Sequence, residues 1–103
     1  MEPRIPIDKE KIAAFCCKWK IVEFSLFGSV LTDAFRPDSD VDVMINFAEG
    51  TWHTLADLDE MEEDLSRIIG RQVDLSTRPS VELMRNRIRR NSILGSFRVI
   101  YAP

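Results

Sequence analysis

Apolar residues recur along this chain at two different periods. In KEKIAAFCCKW, residues 9–19, Ile12, Phe15 and Trp19 fall at helical intervals behind Asp8. That spacing predicts a helix from about Lys9 to Trp19 with Asp8 as its N-cap. IVEFSLF, residues 21–27, is β-branched and aromatic and too short for a typical helix, so it reads as a strand interrupted by Gly28-Ser29. A short helical turn from Ser29 to about Phe35 and a loop over 36–39 follow. DVDVMINF, residues 40–47, is the clearest strand. Val41, Val43, Ile45 and Phe47 take one face by the two-residue period, and Asp40, Asp42, Met44 and Asn46 take the other. Thr54 and Asp57 have the spacing of a capping box, and Leu55, Leu58, Met61, Leu65 and Ile68 form the stripe of a helix that Gly70 ends. QVDLS, residues 72–76, predicts a third strand. Ser80 is expected to cap a helix with Val81, Met84 and Ile88 inward, and FRVIYA is either a fourth strand or the close of a helical tail. The order α-β-α-β-α-β-α-(β) predicts a small sheet flanked by helices.

Length and composition narrow the function classes. One hundred and three residues make a single domain, 1–103, without room for a second that would enclose a small acceptor. The apolar share, 45%, with a formal net charge of −3, is that of a globular chain rather than a disordered one. Seventeen acidic residues against fourteen basic ones argue against direct nucleic-acid binding, which wants a clearly basic face. The local exception is Arg85, Arg87, Arg89 and Arg90, with Arg78 upstream. This cluster reads most simply as a solvated helix face, the alternative being an anion or partner site. Cys16 and Cys17 are adjacent, which suits neither a C-x-x-C metal pair nor an unstrained disulfide. With no apolar leader in MEPRIPIDKEK and no run of about 20 apolar residues, the expectation is a cytoplasmic protein with no membrane association.

The chemistry concentrates in LFGSVLTDAFRPDSDVDVMI. Gly28 lets the chain turn at a strand end and approach a ligand closely. Ser29 stands at a helix start, where free N–H groups and the dipole favour anions, and its hydroxyl can donate to a phosphate oxygen. Ten residues later come Asp40 and Asp42, on one face of a strand whose other face is apolar. Carboxylates so held repel one another, and a cation relieves them. Mg²⁺ favours a few carboxylates plus substrate phosphates, and two such ions can serve an attacking and a leaving oxygen. Asp74, between Val73 and Leu75, joins the pair if its strand lies beside residues 40–47. The competing reading for Asp40 and Asp42 is the solvated face of a half-exposed sheet, and Asp74 taken alone reads as structural. Ser39 and Asp38 are expected to shape the turn into the strand, Ser39 with the option of holding the aspartates by hydrogen bond.

With these residues the chain resembles the nucleotidyltransferase superfamily, whose hallmark is Gly-Ser, a spacer of this length, Asp-x-Asp and a third carboxylate on a later strand. More narrowly it resembles the minimal nucleotidyltransferases (MNT proteins), over about Val22 to Tyr101, most specifically in Arg36-Pro37-x-Ser39-Asp40-x-Asp42. The resemblance implies the α+β, DNA polymerase β-like fold, a small mixed sheet flanked by helices. It implies that Gly28, Ser29, Arg36 and Ser39 bind nucleotide and that Asp40, Asp42 and Asp74 are catalytic and ligate Mg²⁺. The implied reaction moves AMP from ATP to a hydroxyl, a tyrosine in the case of MNT antitoxins, of a partner HEPN toxin in a type VII toxin–antitoxin pair. The alternatives are an antitoxin that neutralises by binding alone and a small-molecule nucleotidyltransferase.

The chain departs from the family's usual G-S-[RY]-A-R-G. The basic residue is replaced by Thr32 and the final glycine by Asp33, an acid unhelpful to a triphosphate. Either Arg36 supplies the missing charge or the enzyme is slow. His53 reads as a surface or capping residue, since two-metal chemistry needs no histidine. Trp19, Trp52 and Phe47 read as core or partner contacts rather than an adenine stack. The acidic helix face over 57–64 reads as solvated, with docking of a basic partner as the alternative. A small open-cleft domain with exposed apolar residues can also pair with itself.

Overall fold

The computed structural model describes residues 5–102. The expectations for residues 1–4 and for residue 103 lie outside the described residues. A four-stranded mixed sheet runs β3-β2-β1-β4. Its strands are β1 (Ile21–Phe27), β2 (Val41–Phe47), β3 (Val73–Thr77) and β4 (Arg98–Tyr101). β1 pairs antiparallel with both β2 and β4, and β2 pairs parallel with β3. The parallel pair requires a crossover, which helix α2 (Leu55–Ile69) provides. FRVIYA is thus a strand, and the architecture is the α+β arrangement expected.

Helix α1 (Lys9–Trp19) starts where Asp8 Oδ1 accepts from the backbone N–H groups of Glu10 and Lys11, at 3.1 and 3.2 Å. It packs with α2 on one face of the sheet. Ile12, Phe15 and Cys16 of α1 and Met61 and Leu65 of α2 meet Phe24, Leu26, Val41, Val43, Ile45 and Val73 in one buried cluster. This is the apolar face that the two-residue period assigns to residues 41–47. Cys16 is buried and Cys17 exposed, both as free thiols. Burial, aided by the neighbouring Cys17, pushes the Cys16 thiol up to about 12, so it stays protonated and packs as a small apolar group.

The start of α2 has the expected capping box. Asp57 N–H donates to Thr54 Oγ1 at 3.1 Å and Thr54 N–H to Asp57 Oδ2 at 3.0 Å, a cap worth about 1 kcal/mol. The apolar stripe is shorter than the sequence pattern. Leu55 is 80% exposed, because the first helical position precedes the turns that rest on the sheet; Leu58 is the first to pack. The acidic face is only partly solvated. Glu62 Oε2 accepts from Leu75 N–H of β3 at 3.1 Å, and Asp64 pairs with Lys18 and Arg67. Among the described residues no helix is long and apolar enough to cross a membrane.

The other face of the sheet departs from expectation. The predicted helix from Ser80 is two: α3 (Arg78–Glu82), capped by Thr77, and α4 (Arg87–Gly95), capped by Asn86. Asn86 Oδ1 accepts from Arg89 N–H at 3.0 Å, and this local bond restarts the helix with a new phase. Ile88 therefore lies 85% exposed instead of inward, and Ile93 takes the buried position. Val81 and Ile93 cover Phe27 and Met44 in a second buried cluster. Met44 shares its strand face with the aspartates as read from the sequence, yet it is 1% exposed. Met44 closes the middle of this face, Asn46 stays half-buried at one end of β2, and the aspartates stand at the other end.

Candidate active site

That end of the sheet is where β1 finishes, β2 begins and β3 begins. β1 leaves the sheet at Gly28, which opens a single turn of 3₁₀ helix over Gly28–Leu31. The turn is shorter than the Ser29–Phe35 segment expected. Thr32 ends it, its hydroxyl donating to the Ser29 carbonyl at 3.0 Å and accepting from Ala34 N–H at 3.1 Å. Gly28 has φ +79°, and a Cβ built there would collide with Asp42 Oδ2 and approach Asp42 Cγ to 3.3 Å. The first residue of the turn thus lies directly against the carboxylate, a closeness that only a glycine permits.

The parallel register sets Asp42 opposite Asp74, on strands that run roughly 4.8 Å apart. Asp40 stands two positions before Asp42, just ahead of the strand. The other two act on the third: the Asp42 carboxyl is raised above its ordinary range, first by burial, then by the charge of Asp74, against the opposing pull of Arg89, and finally by Asp40. Asp42 is half-buried, while Asp40 and Asp74 are exposed. The strand pairing that the sequence left conditional is therefore present, and the three aspartates share one locality.

Asp42 and Gly28 line a cleft of about 850 Å³, within the range of small-ligand sites. Leu31 and Thr32 continue the wall on the turn side. Asn86, Arg89, Ser92 and Ser96 of the α4 region form the opposite wall. Asp40 and Asp74 flank Asp42 outside this lining. Ser29 lies on the turn next to Gly28 and is half-buried.

Two other expected binding residues stand apart. Arg36 lines a separate concavity with Phe35, Pro37 and Arg71. Ser39 shapes the turn: its Oγ accepts from Arg36 N–H at 3.0 Å, and its N–H donates to the Arg36 carbonyl at 3.0 Å. Arg71 fastens this loop from outside, donating to the Pro37 carbonyl at 2.8 Å with its guanidinium 4.7 Å from the Phe35 ring centroid. Arg89 lines the cleft, which fits the anion-site alternative for the arginine cluster rather than a merely solvated helix face. Its signal was present in the arginine cluster, but only the restarted helix phase separates Arg89 from Arg85 and Arg87, which are exposed and outside the lining. His53 is neither a surface residue nor a helix cap but packs partly buried before α2: Nε2 donates to the Trp19 carbonyl at 3.1 Å and the ring lies 4.4 Å from that of Phe47.

Among the described residues, no group of three or more Asp, Glu, His or Cys side chains makes a ready-formed metal cage. The donor set nevertheless fits Mg²⁺, which binds through one or two carboxylates and takes its remaining oxygens from water and substrate phosphates. Burial, and after it the charges of Asp74 and Asp40, disfavour the ionised Asp42 carboxylate, and a bound cation would relieve that load.

The nucleotidyltransferase domain family matches residues 9–98. A relative from Methanocaldococcus jannaschii, named "Putative protein adenylyltransferase", is 32% identical over 81 residues, covering 78% of this chain and 85% of its own. Two further relatives from that organism are each 34% identical over 64 residues, and the match spans 64% and 63% of their lengths. A solved minimal nucleotidyltransferase superposes with a TM-score of 0.64 at 29% identity, covering 87% of this chain and 86% of that one. The fold also matches, at 20% identity and a TM-score of 0.61, a structure of the tri-AMPylated Shewanella oneidensis HEPN toxin in complex with MNT antitoxin, covering 92% of this chain and 70% of the matched one. The chain belongs to the nucleotidyltransferase domain family.

Proposed function

We propose that this protein transfers AMP from ATP to a hydroxyl of a protein partner, and that the partner is a HEPN-type toxin which the modification silences. The observation that supports the reading is Asp42, set against Gly28 at the cleft, opposite Asp74 in the β2–β3 register and within the electrostatic reach of Asp40. The AMPylated toxin in the solved complex of the same fold supports the choice of acceptor class.

Each residue has a distinct task in this reading. The Gly28-Ser29 turn holds the triphosphate, with backbone N–H groups and the Ser29 hydroxyl as donors. Ser39 keeps the Arg36–Asp40 turn in shape, so that Asp40 enters beside Asp42. Asp40 and Asp42 would hold Mg²⁺ with phosphate oxygens completing its shell, and Asp74 would complete the site nearest the incoming hydroxyl. The bound ion supplies Lewis-acid charge neutralisation at the phosphates. The acceptor oxygen forms a bond to the α-phosphorus as the bond to the pyrophosphate oxygen breaks, and the hydroxyl proton leaves on the carboxylate side. The open cleft suits an acceptor presented on another chain, since the described residues build no enclosure for a small one. The free thiols of Cys16 and Cys17 agree with a reducing compartment such as the cytosol.

The test is label transfer. The protein, α-labelled ATP and Mg²⁺ are mixed with the HEPN protein encoded beside it. Label is expected on the partner, and on none of it when D40N and D42N are combined. Neutralisation of the partner without label, surviving both substitutions, would instead establish an antitoxin that acts by masking.

A further inference from the structure

The Gly28–Leu31 turn and Thr32 bring no basic residue to the cleft, and Asp33 lies in the neighbouring concavity. Arg36, the nearest cation in sequence, lines a different concavity. A triphosphate entering here meets Asp42, flanked by Asp40 and Asp74, and a cation bound there offsets only part of that repulsion. The cleft does hold positive charge, but on the far wall. There α4 presents Arg89 and Ser92, three residues apart and so on one helix face, with Ser96 at the helix's C-cap. Arg98 of β4 lines the same cleft. Arg89 is close enough to Asp42 for its charge to oppose that of the neighbouring carboxylates. Its placement follows from the Asn86 cap, which restarts the helix so that Arg89 turns into the cleft while Ile88 is left exposed beside it.

We propose that Arg89, standing on α4 across the cleft from Gly28, Thr32 and Asp42, is a substrate-binding residue that grips the polyphosphate of the nucleotide in place of a basic residue on the Gly-Ser turn. This rests on the nucleotide reading of the site above. A guanidinium suits the task because its planar fork can donate twice to a phosphate. The other arginines of the cluster, Arg85, Arg87 and Arg90, are outside the cleft lining and take no part.

Calorimetric titration with Mg²⁺ and α,β-methylene-ATP tests it, with adenosine as the probe lacking phosphates. Arg89 is exposed, so R89Q leaves the core untouched and its fold is checked by circular dichroism. R89Q is expected to bind the ATP analogue about tenfold or more weakly, as fits the loss of a hydrogen bond to a charged group. R89K is expected to fall between. Adenosine affinity is expected to be unchanged in R89Q, and R85Q and R87Q to stay within about twofold of wild type for the analogue. Wild-type affinity in R89Q overturns the proposal while leaving the nucleotide reading intact. An equal loss in R85Q and R87Q overturns it as a net-charge effect, and an equal loss for adenosine overturns it as damage to the cleft. A wild-type protein that binds no ATP analogue removes this proposal and the nucleotide reading together.

Discussion

Asp42→Asn is expected to lower AMP transfer by at least about 100-fold and, in the same protein without nucleotide, to raise thermal stability. The activity loss follows from position. Asp42 is the one aspartate of the three that lines the cleft, and the charges of both others act on it. Changing groups that merely orient a metal ligand costs about 10–100-fold in metal affinity or activity, so loss of a direct ligand should cost more. The stability gain has the opposite origin. Burial, Asp74 and Asp40 raise the folded-state pKa of Asp42 above its value in the unfolded chain, about 3.9 for a free aspartate. The folded state therefore holds the proton more tightly than the unfolded one. The favourable contribution of protonated Asp42 is complete at acid pH and is lost as pH rises through the raised carboxylate range. Wild type should lose stability across that window, whereas D42N should not, so their melting temperatures should diverge towards neutral pH. Adding Mg²⁺ should stabilise wild type more than D42N. Melting curves from pH 3 to 8, with and without Mg²⁺, check each part; parallel curves throughout would show that Asp42 is not strained by its neighbours.

Gly28→Ala is expected to be nearly as damaging, by a different route. A side chain at φ +79° carries backbone strain of about 1–3 kcal/mol. Here the added Cβ also meets the Asp42 carboxylate, which β2 holds in place. Gly50 isolates the second effect, because it has the same φ with nothing within 4 Å of an added Cβ. G50A should therefore lose a comparable amount of stability through strain alone and transfer AMP normally. G28A should lose more stability than G50A and, when assayed well below its melting temperature, lose at least about tenfold in transfer. Denaturant titration and the labelling assay on both variants measure this. Equal activity in the two would mean that the turn does not position Asp42.

The elements of the first face were legible because their signals are local. Asp8 and Thr54 cap as their sequence context requires, and the alternation of Val41, Val43 and Ile45 fixes a buried face without knowledge of its partner. The same alternation puts Asp40 and Asp42 on one face, and the parallel pairing of β3 then sets Asp74 opposite Asp42. The second face was less legible because it depends on where the chain returns. Met44 is buried only because α3 and α4 fold over it. A continuous helical period ran through Val81, Met84 and Ile88, and the Asn86 side chain overrode it by capping a new helix. Arg89 could not be separated from its neighbouring arginines until that phase change was known. Leu55 obeyed the period but lies beyond the supporting sheet, which no periodicity can indicate.

The most direct test is where a divalent cation goes. A ¹⁵N-labelled sample is titrated with Mn²⁺ in the presence of α,β-methylene-ATP, and the loss of amide signals by paramagnetic broadening is followed residue by residue. Broadening centred on Gly28, Asp40–Val43 and Asp74, and absent from D42N at the same Mn²⁺ concentration, is the predicted result. Broadening centred on the exposed carboxylates of α2 around Asp59, Glu60 and Glu63, with the Gly28 and Asp42 amides unaffected, would contradict the account.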